Sequence, residues 1–476
     1  MADYLETSAD YKAMAPYWET VSDVLSGTRA MRENGRRYLP QFPNESDKNY
    51  DYRIKNAKFT NLFADISSDL ASKPFAKEVG LIGDTVPEPL LRVVEDTDRH
   101  GNHLHAFAFA TFSAALNYGI DWIMVDHTRL PDGATLADER RIGGGPYWVR
   151  VPAQSLLAVY SAQVDGVEQI VYARINETRI ERRDGEEVTV ERVRVLVRDE
   201  VDGGYATARF EVYERTGRSW ELVDDGAISL GIIPLVPLIL GDRKQGTWQV
   251  TPPLRDILDL QIELFQQETN LKLAKELTAF PMFTANGIAP PESDAPAPMG
   301  PSTILYAPMN DQGQHGQWGV LEIGAQSLDF LSREIDKLVA MMRELGRQPL
   351  VSGTSGMTQA TALLAAQKAS SSAQAWAGLL KDALEQAFVY TARWLSLPEP
   401  EVFVHTDFAI ELGADQAPNV LLSLRTQRAI SEETLWAEMK RRGLLSPEFD
   451  PEQERERLLT ELPADDVGEE TAALGA

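Results

Sequence analysis

Between Ser327 and Met357 a heptad-spaced helical pattern stops abruptly in a segment of glycine, serine, threonine and proline. Leu328, Leu331, Ile335, Leu338, Met342 and Leu345 recur at alternating spacings of three and four. On a helix this draws one narrow apolar seam rather than the broad face of a globular core helix, and such a seam requires a helical partner. Gly346 stands where a C-cap glycine would, Pro349 blocks continuation, and Val351-Ser-Gly-Thr-Ser-Gly-Met357 holds no packed structure of its own. A further helical pattern begins at once near Thr358. Together with the two-sided helix from Leu254 to Ala274, the seam exposes more apolar surface than one subunit can cover, which predicts self-association.

The 476 residues are enough for a large core and two to four domains. Lys and Arg total 46 against 72 Asp and Glu, a net charge of -26. Such a surface repels nucleic acid and anionic membranes, so any contact with DNA is local or deliberately non-adhesive. The absence of cysteine excludes a disulfide framework and thiolate metal sites and fits a reducing compartment. Met1-Ala-Asp-Tyr-Leu-Glu6 has no apolar core of a signal peptide, and the longest apolar run, Ile228 to Leu240, is short for a bilayer and broken by Pro234 and Pro237. These features lead us to expect a soluble protein kept inside a cell, with no membrane partner.

Residues from about Tyr11 to Ser72 read as helical, interrupted at Tyr38-Leu-Pro-Gln-Phe-Pro43 and restarted by the capping sequence Asn44-Glu-Ser-Asp47. A helix is predicted over His100 to Tyr118. Tyr147 to Val151, Gln169 to Ile175, Val188 to Val197 and Arg209 to Tyr213 are β-branched or aromatic with period-two alternation, and Asp184-Gly185 and Asp202-Gly-Gly204 read as hairpin turns. A meandering antiparallel sheet is expected. From Pro252 the chain returns to helix, with Leu254, Ile257, Leu258, Ile262 and Phe265 on one side and Leu260, Leu264, Leu271 and Ala274 on another, so contact from two directions is predicted.

Between Phe280 and Gln326 lies a Pro/Gly-rich excursion with short strand-like pieces at Ser302 to Tyr306 and Val320 to Ile323. It contains no Lys or Arg, but Glu292, Asp294, Asp311 and Glu322 make it acidic. The helix predicted from Thr358 to Leu395 is crowded with alanine and serine, and Trp376, Leu380, Phe388 and Trp394 supply bulk on its buried side. Ile430 to Leu459 reads as helix, turn, helix, and Leu462 to Ala476 as an acidic disordered tail.

Catalytic signatures are weak. No regular element aligns His100, His103 and His105 together, which favours helix-surface histidines over a metal site. Ser352-Gly-Thr-Ser-Gly356 follows a helix rather than the strand a nucleophile elbow needs. Gly143-Gly-Gly145 and Gly203-Gly204 lack the helix or lysine of a phosphate loop. Asp224-Asp225 and Asp465-Asp466 read as solvated turn or tail residues. Arg36-Arg37, Arg182-Arg183 and Arg441-Arg442 are too isolated to be nucleic-acid footprints. No enzyme, cofactor or metal is expected.

Taken in order, the chain resembles the portal proteins of tailed bacteriophages, the rings at the head-to-tail vertex. The resemblance rests on succession: a helical start containing Arg37-Tyr-Leu-Pro40 and Phe42-Pro-Asn-Glu-Ser46, a β-rich block, and a helix entered through Thr251-Pro-Pro-Leu254. The Pro/Gly-rich excursion, the returning helix ending in Leu345-Gly-Arg-Gln-Pro349, the small-residue helix from Thr358 and Ile430-Ser-Glu-Glu-Thr434 complete it. It implies an α+β portal fold: residues 1–251 a helical and β-rich wing, 252–280 a stem helix, 281–326 a small clip and 327–346 the second stem helix. Residues 347–357 would be the tunnel loop, 358–400 a wing or channel helix, 401–461 a helical crown region and 462–476 the tail.

The same resemblance implies a cone-shaped homo-oligomer, a dodecamer in the particle, assembled in the host cytoplasm and resident in the virion. Its partners would be the terminase large subunit, a head-completion or adaptor protein, the major capsid or scaffolding protein, and double-stranded DNA held weakly and without sequence preference. Glu292, Asp294, Asp311 and Glu322 would dock partners at the clip. Arg347, Gln348, Ser352, Gly353, Thr354, Ser355 and Gly356 would face DNA, and the six seam residues would pack the oligomer. An acidic wall suits a channel through which DNA slides, because each neutralised phosphate adds affinity through counterion release. The competing readings are an oligomeric virion or scaffold protein without a channel, and an acidic cytoplasmic hydrolase with paired carboxylates.

Overall fold

The structure is a computed structural model that describes residues 3–83, 86–128, 144–183, 185–201, 204–279, 282–286, 316–321, 325–346, 359–406, 408, 422–423, 425–426, 430–441, 445–446 and 449–461. It is an α+β protein in two compact units, Met1–Ser355 with Ser371–Phe408, and Gly356–Ser370 with Ala409–Ala476. Among the described residues no helix is long and apolar enough to cross a membrane.

The helical start is more divided than its sequence suggests. Ser8 caps the Ala9–Leu25 helix by accepting the Tyr11 N–H, and Gly27 at φ 82° turns the chain into Thr28–Glu33. Ser46 caps Asp47–Lys55 as the sequence predicts, and Asn61 caps Leu62–Ser72. The break before Leu62 was not legible, because the backbone there bonds to side chains two hundred residues away. The portal-like string between Arg37 and Ser46 is held by polar groups: Tyr38 donates to Asp23 at 2.5 Å, and buried Arg53 pairs with Glu45 at 2.8 Å while stacking on Phe42.

The expected helix from His100 begins only at Leu104. Asp98 collects the backbone N–H groups of His100 and Asn102, which keeps that stretch a turn, and His103 is the N-cap.

Two antiparallel sheets replace the single one expected. The larger runs Leu156–Val164, Val167–Asn176, Arg192–Val197, Arg209–Thr216, Ser219–Ala227, each strand paired with the next. It is a meander from which the hairpin Arg179–Arg183 with Glu186–Val190 and the shorter Glu200–Val201 with Gly204–Tyr205 project. The stretch Val188 to Val197 is therefore divided between a hairpin and the sheet. The smaller sheet places Ile120–His127 between Leu235–Ile239 and Pro146–Val151. Ile120 to Val125 are all buried, so this strand lacks the alternation that marks a half-exposed one. Pro237 sits on an edge strand of this sheet, where its missing N–H is tolerated.

The third long helix, Gln359–Leu395, packs residues from Ala373 onward into the core, with Ala373, Ala377, Leu380 and Phe388 buried and Trp376 and Trp394 half-buried, close to expectation. Buried Trp148 ties it to the smaller sheet, donating from Nε1 to Thr391 Oγ1 at 2.9 Å and meeting Phe388 edge to face. Just beyond it, Glu401–Phe403 pairs with Gly80–Ile82. In the second unit, Ser431 accepts the Thr434 N–H ahead of the Glu432–Arg441 helix, and Pro451–Glu461 is the second of the two helices predicted there.

Candidate functional site

The candidate site is the pair of long helices on either side of the acidic excursion. The first, Arg255–Ala279, is contacted from two directions as predicted: Leu254, Ile257, Leu258, Leu264, Phe265 and Leu271 are buried. A line of polar side chains, which sequence reasoning missed, fixes it along a third. Gln261, fully buried, accepts the N–H groups of Leu62 and Phe63 at 2.9 Å and donates to Thr60 O. One heptad on, buried Glu268 accepts from the N–H and hydroxyl of Thr60 and pairs with Lys58 at 2.9 Å. Lys272 reaches Asn56 O and Gln266 reaches Tyr38 O.

Side chains of this one helix thus satisfy backbone groups of Asn56, Lys58 and Thr60, which lie between two helices, and the first N–H groups of the Leu62–Ser72 helix. The only sequence signal was a heptad spacing of Gln261 and Glu268 between two apolar lines.

The first helix turns Asp256, Asp259 and Glu263 outward as an acidic ridge. Burial and then the Asp259 charge push the Tyr17 phenol well above its usual range.

The second helix, Ala325–Leu345, packs against the first and against Leu62–Ser72. The two long helices run antiparallel. Met282–Asn286 after the first pairs with Gln317–Leu321 before the second, while Arg343 near the end of the second lies 3.9 Å from Asp65, on the helix whose start Gln261 holds.

The seam meets its helical partner within the subunit. Met342 and Leu338 are buried, and Leu328, Leu331 and Ile335 are half-buried, so the expectation of a seam left bare by one subunit is corrected. Gly346 ends the helix, its N–H donating to Met342 O, and a Cβ there would lie 2.5 Å from Ile66 Cγ2. Close packing requires glycine at that point.

Leu345, the sixth seam residue, is 47% exposed, and it joins Phe330 at 63% and Met341 at 49% on a different ridge. At about 100° per residue, Phe330, Glu334, Lys337, Met341 and Leu345 align on the outer side of the helix. Arg333 pairs with Asp329 and Lys337 with Glu334 within the same helix. Such exposed pairs add little stability. Three large apolar side chains are therefore displayed in one line on the outer side of the helix.

Glu292, Asp294, Asp311 and Glu322, and Arg347, Gln348, Ser352, Gly353, Thr354, Ser355 and Gly356, lie outside the described residues. Ser302 to Tyr306 also lies outside them, and the strand expected at Val320 to Ile323 is Gln317–Leu321. The histidines do not converge: His100 lies in the turn, His103 caps a helix, and His105 accepts the Val79 N–H at 3.1 Å through Nδ1. Among the described residues no three His, Asp or Glu side chains gather on a metal-ion site.

Residues 253–395, which hold all three long helices, match the family described as Domain of unknown function (DUF4055). No curated protein matches the chain. Solved structures similar to it include chains of gene transfer agent particles. The neck of an empty particle computed with C6 symmetry aligns at 12% identity and TM-score 0.41, covering 89% of this chain and 96% of that one. A chain of the native virion aligns at 11% identity and TM-score 0.38, covering 93% and 99%. The neck of the native particle computed with C12 symmetry gives 11% identity and TM-score 0.36, covering 84% and 89%.

Proposed function

We propose that this chain is the subunit of a portal ring, a structural protein of the virion vertex through which DNA is packaged and ejected. The observation that carries the reading is the outer ridge of the Ala325–Leu345 helix. Phe330, Met341 and Leu345 stay exposed after the centre of the seam has been buried, and Asp256, Asp259 and Glu263 of the first helix are exposed as well. A row of large apolar side chains left exposed along one helix is the surface of a helix that meets another copy. In this reading the two helices are the stem, their common excursion is the clip, and Glu292, Asp294, Asp311 and Glu322 steer the terminase and later the adaptor. Residues 347–357 form the tunnel loop, where Arg347 is the lone charge of the segment and gives one weak phosphate attraction per subunit. The net charge of -26 supports a channel that does not grip DNA.

The test is the mass and shape of the purified protein. Negative-stain images should show rings with an open axial pore, and light scattering of Phe330→Asp/Met341→Asp should show smaller species that keep the subunit fold. Closed particles without a pore would favour a scaffold role, and an unchanged mass in the double variant would remove the ridge from the interface.

A further inference from the structure

Two copies of a chain with a net charge of -26 repel one another, so wherever they meet the contact needs local charge of the opposite sign. The acid is not spread evenly. Residues 28–58 hold eight Lys and Arg against four Asp and Glu. Six of these cations are bonded within the subunit, among them Arg53 to Glu45, Lys58 to Glu268 and Arg32 to Ala57 O. Lys48 and Lys55 have no partner among the described residues.

Both stand on the Asp47–Lys55 helix. Its buried side is Tyr50, Arg53 and Ile54, and at about 100° per residue Lys48, Tyr52 and Lys55 fall together on the opposite side. All three are exposed, Tyr52 at 54%. Asp51 on the same helix is taken by Arg36 at 2.7 Å, so it does not neutralise either lysine. An aromatic ring between two free ammonium groups is the composition of an interface that the subunit itself leaves open.

The opposite charge stands on the Arg255–Ala279 helix. Arg255 pairs with Asp256 at 3.0 Å, so Asp259 and Glu263 carry the net charge of that acidic ridge. Asp259 has no cationic partner among the described residues, and Glu263 accepts from the neutral Gln267 amide at 2.7 Å. Both project from the side of the helix turned away from Gln261, Glu268 and Lys272. Those three hold residues 56–60, into which the Asp47–Lys55 helix runs. The basic and acidic ridges therefore lie on different sides of the first long helix.

We propose that Lys48, Tyr52 and Lys55 dock on Asp259 and Glu263 of a second copy of this chain. The inference rests on the ring reading above and gives its subunits an order: each copy offers one ridge and receives the other. A contact between two different surfaces is heterologous, the kind that closes into rings. Exposed charge of this sort steers the copies and sets their register more than it holds them. Duplex DNA is the poorer occupant, since two lysines neutralise about two phosphates and the remaining acidic surface repels it.

Light scattering and negative-stain imaging of the full chain over a range of concentrations at low salt test the contact. Lys48→Glu/Lys55→Glu, at exposed positions, should raise the concentration of half-assembly about tenfold, and Asp259→Lys/Glu263→Lys should do the same. Both effects should fade at high salt. All four substitutions in one chain restore opposite charges at every contact and should return assembly to the wild-type range. Unchanged assembly in either pair, or a fourfold variant no better than the pairs, would overturn the proposal, and wild-type rings with a pore would then leave the portal reading standing. Rescue by the fourfold variant in particles without a pore would uphold the contact and remove the portal reading instead. If Lys48→Glu/Lys55→Glu loses binding to a duplex DNA fragment while assembly is unchanged, the lysines belong to DNA and the proposal fails. A wild type that stays monomeric overturns both.

Discussion

The Arg255–Ala279 and Ala325–Leu345 helices lie side by side and are joined to the same excursion, yet they are fixed in opposite ways. The first is held by apolar contacts on two sides and by buried Gln261 and Glu268. The second is held on one side only, by the seam centred on Leu338 and Met342, and presents Phe330, Met341 and Leu345 on the other. A helix whose polar groups are spent inside the subunit is a fixed post. A helix with a spare apolar ridge has surface available for assembly. Apolar spacing alone therefore identifies a contact-making helix without saying which of its ridges faces outward.

The sharpest way to break this comparison is to damage the buried ridge of the second helix. Met342→Ala should cost about 2–5 kcal/mol of subunit stability and Met342→Asp more, since it adds a buried charge. Denaturant unfolding would measure both, and a near-neutral Met342→Asp would mean the seam is not intramolecular. Next in size is Gln261→Ala, which strands the Leu62 and Phe63 N–H groups and Thr60 O at a cost of about 2–4 kcal/mol. Hydrogen exchange should then rise first at residues 56–63, and unchanged protection there would remove the polar line as the anchor.

A third prediction concerns pH. Burial pushes the Asp121 carboxyl up to about 7, although Arg150 Nε lies 2.5 Å away. The native state therefore binds a proton that the unfolded chain, with a carboxyl near about 4, has already released. Stability from this group is present below pH 4, declines as pH rises to about 7 and is flat above that. Melting temperature against pH should show this slope, and Asp121→Asn should remove it while leaving both long helices docked. The smallest effect is on the outer ridge: Phe330→Asp and Met341→Asp should each change subunit stability by no more than about 0.5 kcal/mol, as exposed substitutions do. A loss of several kcal/mol would place that ridge inside the fold.

Elements with a local cause were legible. The seam, the Ser46 cap, the small-residue helix and the alternating strands follow from periodicity and capping, which neighbours in the chain impose on one another. Elements whose cause is distant were not. Ile120–His127 reads as a featureless apolar run because both of its faces are covered, and Asp224-Asp225-Gly226 imitates a turn although its glycine makes room for the Phe210 ring within a strand.

The sequence by itself determined the α+β fold class, the outline of its elements and the presence of a helix built to contact another helix, because these depend on spacing and composition along one strand of chain. Which ridge of that helix remains exposed, which polar residues brace its neighbour and which glycine makes room for an aromatic ring were decided only by tertiary structure. Each depends on groups brought together from positions far apart: Gln261 with Leu62, Gly346 with Ile66, Gly226 with Phe210. A side chain's burial is fixed by what arrives to cover it, and local pattern carries no record of that arrival.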